Sequence, residues 1–254
     1  MVDRILFVNA VLLFGFMTLA YGVARWRQRL DTVDTAWALG FMLVAWAAYG
    51  QQASGRSLLV AILVTIWGAR LSSHIWQRAQ RRGEDPRYQE LTQKWRGNIW
   101  LRAYVTIFLL QGSLIWLVSL PVVVAAGQPL SGLGWLSLAG AIIWLAGFIF
   151  EAIADQQLKV FISQKDHPKV LQTGLWRNSR HPNYFGELSQ WWGIGVIACQ
   201  ASYGWLGLLG PVTLSLLIIF VSGIPPIEKR RLKDPEYAAY KRHTSGLIPL
   251  PTRR

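Results

Sequence analysis

Arg177, Arg180 and His181 stand directly before Pro182, and Asn183 and Glu187 follow it four residues apart. Proline suits the first turn of a helix, because its fixed φ fits and its missing N–H is not needed there. The three basic residues then gather outside a helix N-terminus, where free amides and the macrodipole already favour anions. On that helix Asn183 and Glu187 share one face, and Gln190 and Trp191 extend it by a turn. Cations, an amide, a carboxylate and the Tyr184 ring at one helix mouth form a cradle suited to a charged cofactor. Basic residues meeting lipid phosphates would also explain the charge, but not Asn183, Tyr184 or Glu187.

Further polar groups lie where an apolar chain would not be expected to keep them. Asp34 opens an apolar segment, as a cap or as a buried acid whose proton could polarise a carbonyl. Arg70, His74 and Arg78 recur every four residues and make one helical stripe. Glu151, Asp155 and Lys159 repeat that spacing, and Asp155 and Lys159 are set to pair across one turn. Near the end come Glu228, Arg231, Tyr240 and Arg242, which read either as a cofactor contact or as a polybasic tail on anionic lipid. Arg81 to Tyr88 mixes both charge signs around Gly83 and Pro86, giving a solvated loop or a lid.

The elements that must hold these residues are membrane helices. Of 254 residues 52% are hydrophobic and only 15% charged, with 14 Trp, a balance that suits a polytopic membrane protein. A span needs about 20 largely apolar residues. Stretches 5–24, 33–50, 57–77, 101–126, 133–153, 185–200 and 205–224 meet or approach that, predicting an all-α fold of seven transmembrane helices in one domain. Most of the 26 Lys and Arg fall in the connections after the first, third, fifth and seventh stretches. That alternation predicts an N-terminus outside and a cytoplasmic C-terminus. The net charge of +13 therefore points to a membrane face rather than to nucleic acid. The long connections share the basic side, so the chemistry is expected at the cytoplasmic face, with the cofactor in the half from 148 to 250. Residues 161–172 read as a basic surface loop, and Glu228 to Tyr240 as one amphipathic helix after the break at Gly223-Ile-Pro-Pro226.

Asn183-Tyr184-Phe185-Gly186-Glu187, followed by Gln190-Trp191 and Gly193, resembles the C-terminal signature of the steroid 5-alpha-reductase family. Arg180-His181-Pro182-Asn183-Tyr184 also resembles the sterol C14 and C7 reductases, and a looser Arg-His-Pro-x-Tyr occurs in isoprenylcysteine carboxyl methyltransferases. The likeness is most specific over residues 151–250 and is closest to bacterial membrane reductases. It implies NADPH as cofactor, a lipid-like enone as substrate and a site on the inner face of the cytoplasmic membrane. It assigns Asp155, Arg231, Tyr240 and Arg242 to the cofactor and matches His74 and Arg78 to a His-x-x-x-Arg pattern. Where the family commonly follows that His with a carbonyl-polarising Tyr, this chain has Ile75. The methyltransferase likeness implies the alternative, S-adenosylmethionine acting on a membrane-embedded acceptor, with Glu228 as the matching acid. No Gly-x-Gly-x-x-Gly, metal-ligand spacing or Gly-x-Ser-x-Gly elbow occurs, so a soluble-type dinucleotide fold, metal and acyl transfer are not expected.

Overall fold

The computed structural model describes residues 2–81, 83–127 and 132–252; the side chains of residues 78–81 also lie outside the description, and with them the candidate Arg78. Among the described residues the chain is helical, with no strand and one isolated bridge between Ser179 and Ser245. It divides into two compact units: Met1–Gly134 with Ile197–Gly210, and Trp135–Val196 with Pro211–Arg254.

In the first unit, α1 (Val2–Arg27), α2 (Thr32–Gln51) and α3 (Gly55–Arg81) pack in sequence. α1 buries a stripe of Ile5, Asn9, Leu13, Met17, Ala20 and Ala24. Phe7 and Leu19 on its other faces are 71% and 72% exposed, which suits lipid and not water. α2 lets its neighbours approach through buried small residues, Ala36, Ala38, Gly40, Ala45 and Ala48. The short α4 (Pro86–Thr92) starts at Pro86, with Asp85 as its cap accepting from the Arg87 amide at 2.9 Å.

The stretch 101–126 is not one helix. α5 (Ile99–Val118) contains a π-helical turn at Tyr104–Leu109 and stops at Ser119. α6 (Leu120–Ala126) then restarts with Pro121 in its first turn. Pro121 has no amide to continue the ladder and its ring bars the preceding residue from easy helical geometry.

The second unit begins with α7 (Trp135–Ser163), which carries the helix through 161–163, where a loop was expected. α8 (Pro182–Ala198) starts at Pro182 as the sequence predicts. α7 and α8 approach through glycines: a Cβ on Gly186 would lie 2.7 Å from the Glu151 Cβ, and one on Gly193 2.6 Å from the Gly140 carbonyl. α9 (Leu209–Leu216) follows a 3-10 turn at Gly204–Leu208 and passes into a π turn at Leu217–Val221. The single amphipathic helix expected after it is two: α10 (Ile224–Arg231) and α11 (Pro235–His243). Asp234 and Pro235 make the break, with the Asp234 carboxylate accepting from the Glu236 amide at 3.0 Å.

Six stretches among the described residues are long and apolar enough to cross a bilayer: Val2–Arg27, Thr32–Gln51, Gly55–Gln77, Ile99–Val118, Trp135–Ser163 and Gly204–Arg231. α8, at 17 residues, is the expected span missing from that set.

Candidate functional site

The mouth of α8 is built on the turn before it. Gly174 holds φ +59, which lets the chain enter a 3-10 turn, Gly174–Arg177, against α7. Gln157 of α7 accepts from the Leu175 amide at 3.0 Å, and the Trp176 indole donates to the Ala154 carbonyl at 3.1 Å. The tail runs back along this turn. Arg180 N–H donates to Ser245 O at 2.9 Å, Leu250 N–H to Asn178 O at 3.0 Å, and the Ser179 hydroxyl to Leu247 O at 2.8 Å.

Behind the mouth lies a buried ion cluster. Glu228 is 7% exposed and receives the Arg180 Nε and Nη2 on Oε1, both at 2.7 Å, and the Lys241 ammonium on Oε2 at 2.6 Å. Arg180 also donates to the Lys241 carbonyl at 3.2 Å and to the Thr244 carbonyl. Its guanidinium thus fastens the tail to the start of α8. His181 is buried, its Nε2 lies 3.5 Å from Glu228 Oε1, and its ring stacks on Tyr184 with centroids 5.6 Å apart. Burial and the nearby Arg180 lower its pKa to about 4 against the pull of Glu228, so the ring is neutral near pH 7. Tyr240 is buried as well and donates to the Trp176 and Ser179 carbonyls; burial holds its phenol above the usual tyrosine range.

The predicted residues therefore separate. Arg180, His181, Glu228 and Tyr240 come together as one buried assembly, joined by Lys241, which the sequence reading does not include. Asn183, Tyr184 and Glu187 sit half-buried on the first turns of α8, and the Asn183 amide forms no hydrogen bond among the described residues. Arg177 and Arg242 are exposed and without an ion pair among the described residues. Arg231 lies over the Tyr237 ring at 5.8 Å. Asp155 is half-buried, but Lys159 is exposed and unpaired among the described residues, so the expected pair between them does not form. On α7, Glu151 instead accepts from the Gln190 amide at 2.6 Å, both buried.

In the first unit Asp34 is joined by residues the sequence does not flag. The Tyr88 phenol donates to Asp34 Oδ1 at 2.6 Å, and Arg87 Nη2 donates to Oδ2 at 3.1 Å. Burial and the Asp34 charge push the Tyr88 phenol well above its ordinary range. The connection before it is pinned to the α1–α2 turn: Leu30 N–H donates to Glu84 at 2.7 Å, and Asp85 N–H to Asp31 at 3.2 Å. Asp34 is thus an acceptor with both oxygens engaged, whereas the sequence reading gives it a proton to donate. His74 is exposed and forms no such contact among the described residues. Only the mixed-sign Arg81–Tyr88 loop hints at Tyr88. A cleft of about 530 Å³ in the same unit is lined by Leu13, Phe14, Met17, Gly112 and Trp116. Ser113 and Trp116 turn their polar atoms to the Leu109 and Leu6 carbonyls, leaving the lining apolar.

Six membrane-length helices among the described residues, with a polar assembly at the mouth of the shorter α8, define a polytopic membrane protein. The chain belongs to a family described as a protein of unknown function, DUF1295, whose model matches residues 20–244. It is a membrane family related to steroid 5-alpha-reductase-like proteins. The chain is 27% identical over 244 residues to an uncharacterized protein of Schizosaccharomyces pombe, covering 80% of this chain and 70% of that one. No solved structure matches.

Proposed function

We propose that the protein is an NADPH-dependent reductase of a conjugated carbon–carbon double bond in a lipid enone, working at the cytoplasmic face of a bacterial inner membrane. The observation that carries this reading is the α8 mouth. Asn183, Tyr184 and Glu187 stand on a helix start that a buried ion cluster holds rigid, while Arg177 and Arg242 remain unpaired among the described residues. That donor set fits a dinucleotide: guanidinium forks for phosphates, and an amide and a carboxylate for ribose or carboxamide. Family membership and the Asn183-to-Gly193 motif support the same class.

When bound, NADPH would supply a hydride to the β-carbon of the enone, and a solvent proton at the α-carbon would complete the reduction. Arg177 and Arg242 hold phosphate oxygens, Asn183 and Glu187 orient the polar head, and the buried cluster behind them keeps the helix start from moving.

Calorimetric titration of the detergent-solubilised full chain with NADPH tests the reading. Saturable binding, weakened about tenfold by Asn183→Ala through the loss of one buried hydrogen bond, is expected. Absence of binding, or identical affinity in the variant, overturns it. The methyltransferase alternative rests on Arg180-His181-Pro182-x-Tyr184 and Glu228. It predicts that S-adenosylmethionine, and not NADPH, raises the unfolding temperature.

A further inference from the structure

α11 carries Glu236, Ala239, Tyr240 and His243 on one face, at the i, i+3, i+4, i+7 spacing of a single helical stripe. A cavity of about 300 Å³ opens along that stripe, and its far wall is Gln172, Arg177 and Thr252. The walls are fixed to each other by backbone. Tyr240 donates to the carbonyls of Trp176 and Ser179, Thr244 donates to the Arg177 carbonyl at 3.5 Å, and Leu250 N–H to the Asn178 carbonyl at 3.0 Å. Ala239 is the small residue of the stripe, which leaves the space open. By contrast, the polar side chains facing the cavity are unengaged. Among the described residues Gln172, Arg177, Glu236, His243 and Thr252 form no side-chain hydrogen bond or ion pair. Fixed walls bearing polar groups without a partner among the described residues are the arrangement of a binding site and not of a packing defect.

The donors exceed what a carboxylate could use. An arginine fork, an imidazole, a carboxamide and a hydroxyl together match the three or more oxygens of a phosphate. Glu236 then selects among phosphates. It repels a bare anion, and its acceptor oxygens are met only by a ligand that carries hydroxyl or amino donors beside the phosphate.

We propose that this cavity binds a phosphate ester bearing such donors: Arg177 and His243 take the phosphate oxygens and Glu236 accepts from the neighbouring hydroxyl or ammonium group. A nucleotide sugar phosphate and the headgroup of an aminophospholipid share this chemistry. The site shares Arg177 with the proposed NADPH cradle but includes neither Asn183 nor Glu187, and it does not require that the protein be a reductase.

Titration of the full chain in detergent with inorganic phosphate, adenosine 2′-phosphate and phosphoethanolamine tests it. At least one ester binds more tightly than inorganic phosphate, and Arg177→Ala weakens that ester by about tenfold or more, as loss of a charge-assisted bond requires. Arg177 is exposed, so the variant keeps the wild-type unfolding temperature. Glu236→Gln weakens the ester but not inorganic phosphate. Adenosine 2′-phosphate as the tighter ligand identifies a nucleotide, and phosphoethanolamine as the tighter ligand identifies a lipid headgroup; Asn183→Ala leaves either affinity unchanged. Esters no tighter than inorganic phosphate, or an Arg177→Ala protein with wild-type affinity for them, overturn the proposal, whereas the reductase reading fails on absent NADPH binding or on an Asn183→Ala protein with unchanged NADPH affinity.

Discussion

The Tyr88 phenol donates to the Asp34 carboxylate at 2.6 Å, joining the start of α2 to the connection that follows α3. This one bond gives Asp34 a fixed orientation and gives the loop before α4 an anchor. Tyr88→Phe keeps the ring packing and removes the hydroxyl. We expect a stability loss of about 1.5–3 kcal/mol, the scale of a hydrogen bond to a charged group. An unfolding temperature equal to that of the wild type would refute the anchoring role of Tyr88.

Glu228 binds two cationic side chains from inside the protein, and its side chain is only 9% exposed. Glu228→Ala leaves Arg180 and Lys241 close together without a counter-charge. The expected loss is about 3–5 kcal/mol, the cost of breaking one half of a buried pair. Arg180→Met combined with Glu228→Leu should recover much of it, because the one cation left, Lys241, is part-exposed and can be hydrated. Thermal unfolding of the three proteins in one detergent checks this; a double variant no better than Glu228→Ala contradicts the account.

His181 gives a pH dependence with a definite sign. Its folded pKa of about 4 lies below the ordinary value near 6.5, so the unfolded chain binds more protons between those limits. The contribution is fully present above pH 6.5 and is lost as pH falls towards 4, by roughly 3 kcal/mol in all. His181→Gln removes that titration. Unfolding temperatures measured from pH 7 to 4 should fall less steeply in the variant, and parallel curves would rule the mechanism out.

Gly186 is where α8 lies against Glu151 of α7, with only 2.7 Å available to an added Cβ. Gly186→Ala must push the helices apart, which costs about 1–3 kcal/mol for overpacking. It should also disturb the Gln190–Glu151 bond of 2.6 Å one turn away. Gly15, with open space around its missing Cβ, is the control, and Gly15→Ala should be neutral or slightly stabilising. Equal unfolding temperatures for the two variants would argue against close packing here.

Local signals in the sequence reached a long way into this fold. Pro182 marks the start of α8, and the apolar runs give the helices because both effects act over one or two turns. The break at Ser119 was legible in principle, since Pro121 is in plain view, but an unbroken apolar run hides it. The site was less legible. Arg180 and Arg177 look alike in sequence, yet one is buried on Glu228 48 residues away and the other is exposed. Tyr88 and Asp34 are separated by 54 residues, and no helical period links them. The Asp155–Lys159 spacing permits a pair that does not form, because an exposed Lys159 gains little from it.

α8 has 17 residues and so rises only about 26 Å, less than the roughly 30 Å of a bilayer's hydrocarbon. A rod of that length crosses a bilayer only where the membrane thins or its headgroups sag inward. Such thinning would draw water towards Pro182 without the protein opening any passage.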